Sequence, residues 1–251
     1  MTRIIMSGCN GAMGQMISTI VESDTDAEIV AGVDISDNGS NSYPVFSKIE
    51  DCNVEADVLI DFSTPKILSE LLAYSKEKQV PAVLCTTGYS AEQLEEIKAA
   101  AKRTALLKSA NMSLGINTLL RIVNEAAKVL ATEGFDVEIV EKHHNQKLDA
   151  PSGTALALAD SVNKAMDGQY EYIYDRSGRR EKRAKKELGI SAVRGGTIVG
   201  EHEVIFAGVD EVVTFSHTAY SKNVFAKGAV AAAKFLAGKE PGLYDMADVI
   251  G

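Results

Sequence analysis

Residues 4–14 are Ile-Ile-Met-Ser-Gly-Cys-Asn-Gly-Ala-Met-Gly, an apolar run followed by glycines at positions 8, 11 and 14. The run from Arg3 to Met6 predicts a buried strand, and residues 11–21 predict a helix. A tight turn between such a strand and helix can hold a diphosphate against backbone N–H groups and the helix amino end, if no side chain blocks the approach. The stretch therefore predicts a phosphate-binding turn that opens a parallel α/β sheet, although Asn10 stands where the G-x-G-x-x-G pattern has its middle glycine.

The residue after the second predicted strand, 28–33, indicates a dinucleotide. Asp34 lies 20 residues after Gly14, where an acid accepts hydrogen bonds from the adenosine ribose. Residues 35–38, Ile-Ser-Asp-Asn, contain no Arg or Lys to hold a 2′-phosphate, and a carboxylate repels one. We therefore expect NADH to be preferred, with NADPH still possible. Three glycines that only let a strand and a helix pack closely are the less favoured alternative.

The rest of the first half alternates short apolar runs with longer amphipathic segments, which is typical of βαβ units on a parallel sheet. The further elements predicted there are strands at 56–61, 82–85 and 105–107, a helix from Pro65, and a helix over 90–103 with Ser90 as its N-cap.

The second half has a different pattern. A long helix is predicted over 111–130, followed by a strand over 135–140 and a helix over 153–166. Three β-rich runs between 190 and 217 have no helix between them, so they predict a small sheet that is at least partly antiparallel. A last helix is predicted over 224–236. The chain is therefore expected to be α/β, with a second α+β domain.

Composition narrows the class of protein. The chain has 251 residues, a net charge of −9 and 45% hydrophobic residues, which argues against a general nucleic-acid binder. No apolar run is long enough to span a bilayer, and we expect no membrane association. The amino terminus lacks the pattern of a secretory leader, and three cysteines do not form a disulfide framework, so we expect a cytoplasmic protein.

One basic run departs from this acidic composition. Residues 176–187, RSGRREKRAKKE, contain seven basic side chains. A solvated loop or helix face is the favoured interpretation, and a mobile basic loop near an anionic ligand is the alternative.

Residues 141–154, EKHHNQKLDAPSGT, contain two of the four histidines. Side chains alternate along a strand, so His143 and His144 cannot point the same way, which argues against a two-histidine metal site. Lys147 follows within reach of the same cleft, and the first N–H groups of a helix belong to about Gly153 and Thr154. An imidazole, an ammonium and a helix amino end suit a small polyanionic substrate that gains a proton as well as a hydride. A surface histidine pair before an ordinary capped helix is the alternative.

This stretch closely resembles the signature E-x-H-H-x-x-K-x-D-A-P-S-G-T of the 4-hydroxy-tetrahydrodipicolinate reductase (dihydrodipicolinate reductase) family. The resemblance covers nearly the whole chain. The other segments that resemble the family are the glycine loop at 8–14, Asp-Phe-Ser-Thr-Pro at 61–65, Thr-Thr-Gly at 86–88, residues 109–115 and residues 193–208. In two places the chain departs from the family: Ile35 stands where NADPH-preferring members often have Arg, and Cys85 stands where glycine usually precedes Thr-Thr-Gly.

The resemblance implies a Rossmann-type dinucleotide domain formed by residues 1–112 plus 224–251, and a substrate-binding and tetramerisation domain over 113–223. It implies that His143 is the catalytic acid/base, that Lys147 is the proton donor, and that His144, Gly153 and Thr154 bind substrate. It also implies a homotetramer in lysine and diaminopimelate biosynthesis that reduces a small dicarboxylate. The implied cofactor contacts are Gly8, Cys9, Asn10, Gly11, Ala12, Met13, Asp34, Cys85, Thr86, Thr87, Ser109, Ala110, Asn111 and Met112, and no metal is implied.

Two other functions fit parts of the pattern. A dehydrogenase acting on a polyol or aldehyde would use the same Lys and His but would need hydroxyl-binding groups in place of carboxylate donors. A regulator that binds NAD(H) without turnover would need no titratable pair beside the nicotinamide, so the His–Lys stretch counts against it.

Overall fold

The structure is a computed structural model that describes residues 1–109 and 111–251. The chain forms two compact units, one of residues 1–114 and 223–251 and the other of residues 115–222. Within the described residues, no helix combines the length and the apolar character that crossing a bilayer would require.

The first unit is built on a parallel sheet of seven strands. Its strands are β1 (Thr2–Ser7), β2 (Ala27–Val33), β3 (Val45–Phe46), β4 (Val58–Asp61), β5 (Ala82–Leu84), β6 (Ala105–Lys108) and β12 (Gly242–Tyr244). Their order in the sheet is β12-β6-β5-β4-β1-β2-β3, so the order reverses direction at β1. This is the doubly wound arrangement in which ligands bind at the carboxyl ends of the strands, beside the reversal point.

Helices cover the faces of this sheet. They are α1 (Ala12–Glu22), α2 (Leu68–Lys78), α3 (Ala91–Ala100), α6 (Asn223–Leu236) and α7 (Met246–Ile250). The predicted start of α3 is confirmed, since Ser90 and Gln93 form a reciprocal capping box. Two apolar clusters form the core: one contains Ile4, Ile60 and buried residues of α6, and the other contains Ile5, Leu59 and Leu71. The alternating apolar runs of the sequence are therefore strands buried on both faces.

The second unit contains a five-stranded mixed sheet and two helices. Its strands are β7 (Asp136–His143), β8 (Glu171–Ile173), β9 (Glu187–Arg194), β10 (Gly200–Ala207) and β11 (Val212–Ala219), in the order β11-β10-β7-β9-β8. β10 is antiparallel to β7 and β11, and β9 is parallel to β7 and β8. The prediction of a partly antiparallel sheet is confirmed. The helices are α4 (Leu114–Leu130) and α5 (Gly153–Ala165), and their buried side chains share one apolar cluster with this sheet.

Several details differ from the sequence prediction. The helix expected from Pro65 begins with a 3-10 turn over Pro65–Ile67 and becomes α-helical at Leu68, and α7 was not predicted. The long helix α4 begins at Leu114 rather than at 111, because the Asn111 side chain accepts a hydrogen bond from the Ser113 backbone N–H at 2.8 Å and so favours a turn. The strands β3, β8 and β12 were not predicted, and each has only two or three residues.

Candidate functional site

The glycine loop connects β1 to α1, and the surroundings of a side chain would differ at each of its three glycines. Gly8 has a φ of +80°, and a Cβ there would lie 2.5 Å from the Phe62 carbonyl oxygen. A Cβ on Gly14 would collide with the Gly8 carbonyl oxygen, so Gly14 lets α1 pack onto the loop. At Gly11 a Cβ would meet only the Gly8 oxygen, at 3.3 Å. No side chain caps the amino end of α1, so the loop and helix end fit a diphosphate group.

Asp34 follows β2 and lies against this loop. Its Oδ2 accepts the Asn10 backbone N–H and its Oδ1 accepts the Ile35 backbone N–H, both at 2.8 Å. The Asn10 side chain donates to the Ser36 carbonyl oxygen at 2.6 Å, which joins the glycine loop to the segment after β2. Ile35 is 93% exposed. The surface expected to meet the adenosine ribose thus contains a carboxylate and an exposed aliphatic side chain.

The predicted contacts after β5 lie at the same edge of the sheet, since the strands are parallel. Cys85 is buried and its side chain belongs to the apolar core, so it replaces glycine without projecting outward. Thr86 is buried, and its hydroxyl donates to Asp61 Oδ2 at 2.7 Å, while Thr87 is exposed. Cys9 is likewise buried in the core, and its Sγ lies 3.8 Å from the Asn10 Oδ1 atom.

Asp61, at the end of β4, was not assigned a role from its sequence. Its Oδ1 accepts hydroxyl protons from Ser7 at 3.0 Å and Ser63 at 2.5 Å. Burial raises the pKa of this carboxyl, and the hydroxyl donors oppose that shift. Through these bonds and the one from Thr86, Asp61 connects the segments that follow β1, β4 and β5.

The predicted contacts after β6 that the structure describes are Ser109, Asn111 and Met112. The Ser109 hydroxyl donates to the Asn111 carbonyl oxygen at 2.9 Å, and Met112 is buried. A glycine of α6, Gly228, lets the helix approach Met112, because a Cβ there would collide with the Met112 carbonyl oxygen. The prediction for Ala110 lies outside the described residues.

His143 is the last residue of β7 in the second unit, and a buried carboxylate holds its ring. Glu141 is fully buried, and its Oε2 lies 2.6 Å from His143 Nδ1. The Arg194 guanidinium, on β9, bonds both carboxylate oxygens at 2.7 Å. The Ser152 backbone N–H donates to Glu141 Oε1 at 2.9 Å. This group joins β7, β9 and the amino end of α5.

The other side of the His143 ring faces β10. The ring of His202 packs edge-to-face against it with 5.1 Å between centroids. Burial lowers the pKa of His202 to about 4, so this second imidazole is neutral near pH 7. A Cβ on Gly200 would lie 3.2 Å from His143 Nε2. The absence of a side chain at Gly200 leaves space beside that nitrogen.

Lys147 and α5 form the cationic part of the stretch. Lys147 Nζ lies 2.8 Å from Asp149 Oδ1, and this bond to Lys147 is the main cause that lowers the pKa of Asp149, with a smaller contribution from the Gly153 backbone N–H. Ser152 is the N-cap of α5 and accepts the Ala155 N–H, so Gly153 and Thr154 are its first two helical residues, as predicted. His144 follows the end of β7, and its buried Nδ1 has no hydrogen-bond partner among the described residues.

The basic run folds back on its own unit through three arginines. Arg176 bonds Glu138 and Glu187, Arg179 bonds Glu187, and Arg183 bonds Asp136 and Glu138. We call these six residues the ion-pair cluster. The side chain of Glu138 lies across Gly189, where a Cβ would collide with it. The run is a loop in which Arg180, Lys182, Lys185 and Lys186 are exposed, as the favoured interpretation expected. The other three basic residues, which are the arginines of the ion-pair cluster, are neutralised by acids of β7 and β9.

Three residues of the second unit were missed. Glu141 lies two positions before His143 and so on the same face of a strand, which is a signal that strand alternation offers. Arg194 and His202 lie opposite His143 and Glu141 in the strand pairing, which the sequence alone does not define.

Comparisons with known proteins cover both units. Residues 2–112 match the family model described as dihydrodipicolinate reductase, N-terminus, and residues 115–250 match its C-terminus. A 4-hydroxy-tetrahydrodipicolinate reductase of Caldanaerobacter subterraneus subsp. tengcongensis is 50% identical over 250 residues, which are 100% of this chain and 98% of that protein. One from Clostridium tetani is 50% identical over 246 residues, covering 98% of this chain and 96% of its own. A dipicolinate-bound dihydrodipicolinate reductase from Paenisporosarcina sp. TG-14 superimposes with a TM-score of 0.84 at 25% identity, over 100% of both chains.

Proposed function

The chain belongs to the dihydrodipicolinate reductase family, and we infer that it catalyses the NAD(P)H-dependent reduction of 4-hydroxy-tetrahydrodipicolinate to tetrahydrodipicolinate, in lysine and diaminopimelate biosynthesis. The observation that carries this conclusion is the arrangement around residues 141–154. There a buried, carboxylate-held imidazole, an ammonium and the amino end of α5 occur in one stretch of a chain whose two halves both match the family.

In this proposal residues 1–112 and 224–251 bind the dinucleotide. Ala12 and Met13 hold the diphosphate with backbone N–H groups, and Asp34 accepts the ribose hydroxyls. Gly11 lets the diphosphate approach the turn, while its own N–H bonds the Gly8 carbonyl oxygen at 3.1 Å. The remaining contacts come from Gly8, Cys9 and Asn10, from Cys85, Thr86 and Thr87, and from residues 109–112. A reduced nicotinamide supplies the hydride when it is bound. The position of the Asp34 carboxylate and the absence of Arg or Lys at 35–38 support a preference for NADH.

In the same proposal residues 113–223 bind the substrate. His144, Gly153 and Thr154 hold its carboxylates, and the dipicolinate bound by the Paenisporosarcina relative supports a small dicarboxylate ligand. His143 acts as acid/base at Nε2, and Lys147 donates the proton that the product needs. The 4-hydroxyl leaves as water together with a proton from the neighbouring ring carbon, and the hydride and the Lys147 proton are then added to the ring. One proton and one hydride are therefore consumed in each turnover.

We also propose a cytoplasmic homotetramer, on the family resemblance. The three cysteines are free and buried, which supports a reducing compartment. Light scattering should give a mass near four times 26.8 kDa. A monomer at micromolar concentration would contradict the tetramer.

The reaction is tested by following NADH absorbance with and without freshly made product of dihydrodipicolinate synthase. NADH oxidation should require that compound, and polyols or aldehydes should not replace it. A reaction mixture without the protein is the control for non-enzymatic oxidation. Turnover of a polyol instead, or tight NADH binding without any turnover, would refute the assignment. A second series with NADPH tests the cofactor preference.

A further inference from the structure

We propose that Glu141 is a positioning residue, which orients His143 and sets which ring nitrogen exchanges protons with the substrate. The inference rests on the proposed function, in which His143 is the acid/base. It concerns a residue that touches neither substrate nor cofactor in that scheme.

The carboxylate of Glu141 defines the tautomer of His143. An ionised carboxylate only accepts hydrogen bonds, so at 2.6 Å the Nδ1 atom of His143 must carry the proton. Nε2 is then the nitrogen that can give or take a proton, and it faces the space left by Gly200. A neutral ring without this bond would also populate the other tautomer, in which Nε2 carries the proton and is not a base.

The neighbours of Glu141 keep it ionised and fixed. Burial alone would raise its pKa, but the bonds from Arg194 and His143 outweigh that effect and lower it. The Ser152 backbone N–H holds the same carboxylate from the start of α5. With four hydrogen bonds to a fully buried side chain, the carboxylate has one position, and the imidazole is oriented from it.

Among the charged groups around His143, the Glu141 carboxylate is the one that stabilises a protonated His143 ring. Arg194 on β9 is occupied by the Glu141 bidentate pair, and His202 on β10 is neutral near pH 7. The remaining groups that face these residues are His217 on β11, and Lys147 and Asp149 in the loop before α5. When His143 gives up its Nε2 proton, the ring becomes neutral. Its Nδ1 atom keeps its proton, which stays hydrogen-bonded to Glu141, so no second proton moves.

The test is a double-mutant cycle of Glu141→Gln and His143→Gln. In the parent background, Glu141→Gln should lower kcat by about 10- to 100-fold, a part of the roughly 10²- to 10⁴-fold that a positioned acid or base contributes. The KM for NADH should stay within about twofold. In the His143→Gln background the same substitution should change kcat by less than about twofold, because the group through which Glu141 acts is absent.

The tautomer of His143 is a second readout that a purely structural role would not move. The nitrogen chemical shifts of the ring should report the Nδ1–H form in the parent chain and a mixture of both tautomers in Glu141→Gln. Thermal unfolding monitors folding of each variant. If Glu141→Gln does not fold, Glu141→Asp keeps the charge but withdraws the carboxylate from His143 Nδ1 by one methylene group, and it enters the same cycle.

The outcomes separate the two levels of the hypothesis. A parent-like kcat in His143→Gln would overturn the acid–base role of His143 and the proposal with it. An impaired His143→Gln with a parent-like Glu141→Gln would overturn only the role of Glu141. Equal losses from Glu141→Gln in both backgrounds would also overturn it, since the residue would then act on stability or binding alone.

Discussion

Replacing Gly200 by alanine tests whether His143 Nε2 is the reacting nitrogen. The new Cβ would lie 3.2 Å from His143 Nε2, 3.5 Å from its Cδ2 and 3.8 Å from His202 Cε1. A contact of 3.2 Å is closer than van der Waals packing normally allows, so the ring must shift by a few tenths of an ångström, and the methyl group also fills the space beside Nε2. A misplacement of about 1 Å can cost about 10²-fold in rate. We therefore expect kcat/KM for the substrate to fall by about 10- to 100-fold.

The same substitution should leave the fold nearly unchanged. Gly200 is not in the left-handed region of φ, so alanine is compatible with the backbone and reduces the entropy of the unfolded chain, a gain of about 0.4–1 kcal/mol. The tight contact with His143 opposes this gain. The net change in the free energy of unfolding should stay within about 1 kcal/mol, or a few degrees in Tm.

The assay is NADH oxidation at varied substrate and NADH concentrations, with thermal unfolding in parallel. Gly195→Ala is the matched control, because Gly195 also lies near His143 but a Cβ there would meet nothing within 4 Å. The control should keep kcat/KM within about twofold. A Gly200→Ala enzyme with parent-like kcat/KM would refute the assignment of Nε2 as the reacting atom.

Four further substitutions test other parts of the molecule. Lys147→Ala should lower kcat by about 10²-fold or more while NADH affinity is kept, and loss of NADH binding would contradict its role as proton donor. Ile35→Arg should raise the kcat/KM for NADPH relative to NADH by about tenfold, because a guanidinium can bind the 2′-phosphate. An unchanged ratio would argue against the assignment of Asp34 and Ile35 to the adenosine ribose. Burial lowers the pKa of His202 from 6.5 to about 4, so the unfolded chain takes up a proton on this residue at a higher pH than the folded chain does. The stability that is present above pH 6.5 should therefore be lost as the pH falls towards 4. In His202→Gln, the free energy of unfolding measured by chemical denaturation should depend less on pH between 6.5 and 4. Gly189→Ala should destabilise the chain by roughly 1–3 kcal/mol, since its Cβ would collide with a carboxylate of the ion-pair cluster, whereas Gly178→Ala, with open space around it, should not.

Local signals in the sequence predicted the parallel sheet well. The glycine loop, the strand ending at Asp34 and the Ser90 cap all depend on residues within a few positions of each other, and the structure has each of them. The short strands β3, β8 and β12 could not be predicted in this way. Two or three residues show no periodicity, and their place at or near a sheet edge is decided by the partner strand.

In the second unit, important contacts join residues that are far apart in the sequence and therefore could not be predicted from local signals. The basic run appeared unpaired in the sequence, because its partners Asp136 and Glu138 lie about 40 residues earlier and are brought beside it only by the pairing of β7 with β9. The contact between His202 and His143 could not be predicted for the same reason. Its alternation with Val204 and Phe206 indicates a buried position, but its neighbour His143 depends on the register of β10 against β7.

The pairing of Lys147 with Asp149 affects how strongly any carboxylate can bind there. An anion that arrives at Lys147 meets an ammonium that already has a counter-ion tethered two residues away, at high effective concentration. Binding is therefore an exchange of one carboxylate for another, and its electrostatic gain is only the difference between two similar contacts. A ligand with one acid group gains little from such an exchange, whereas a ligand whose second acid group finds its own donors gains from that group in full. Under the proposed function, discrimination between one and two carboxylates would therefore arise from a cation that already has a partner, as well as from the shape of the binding site.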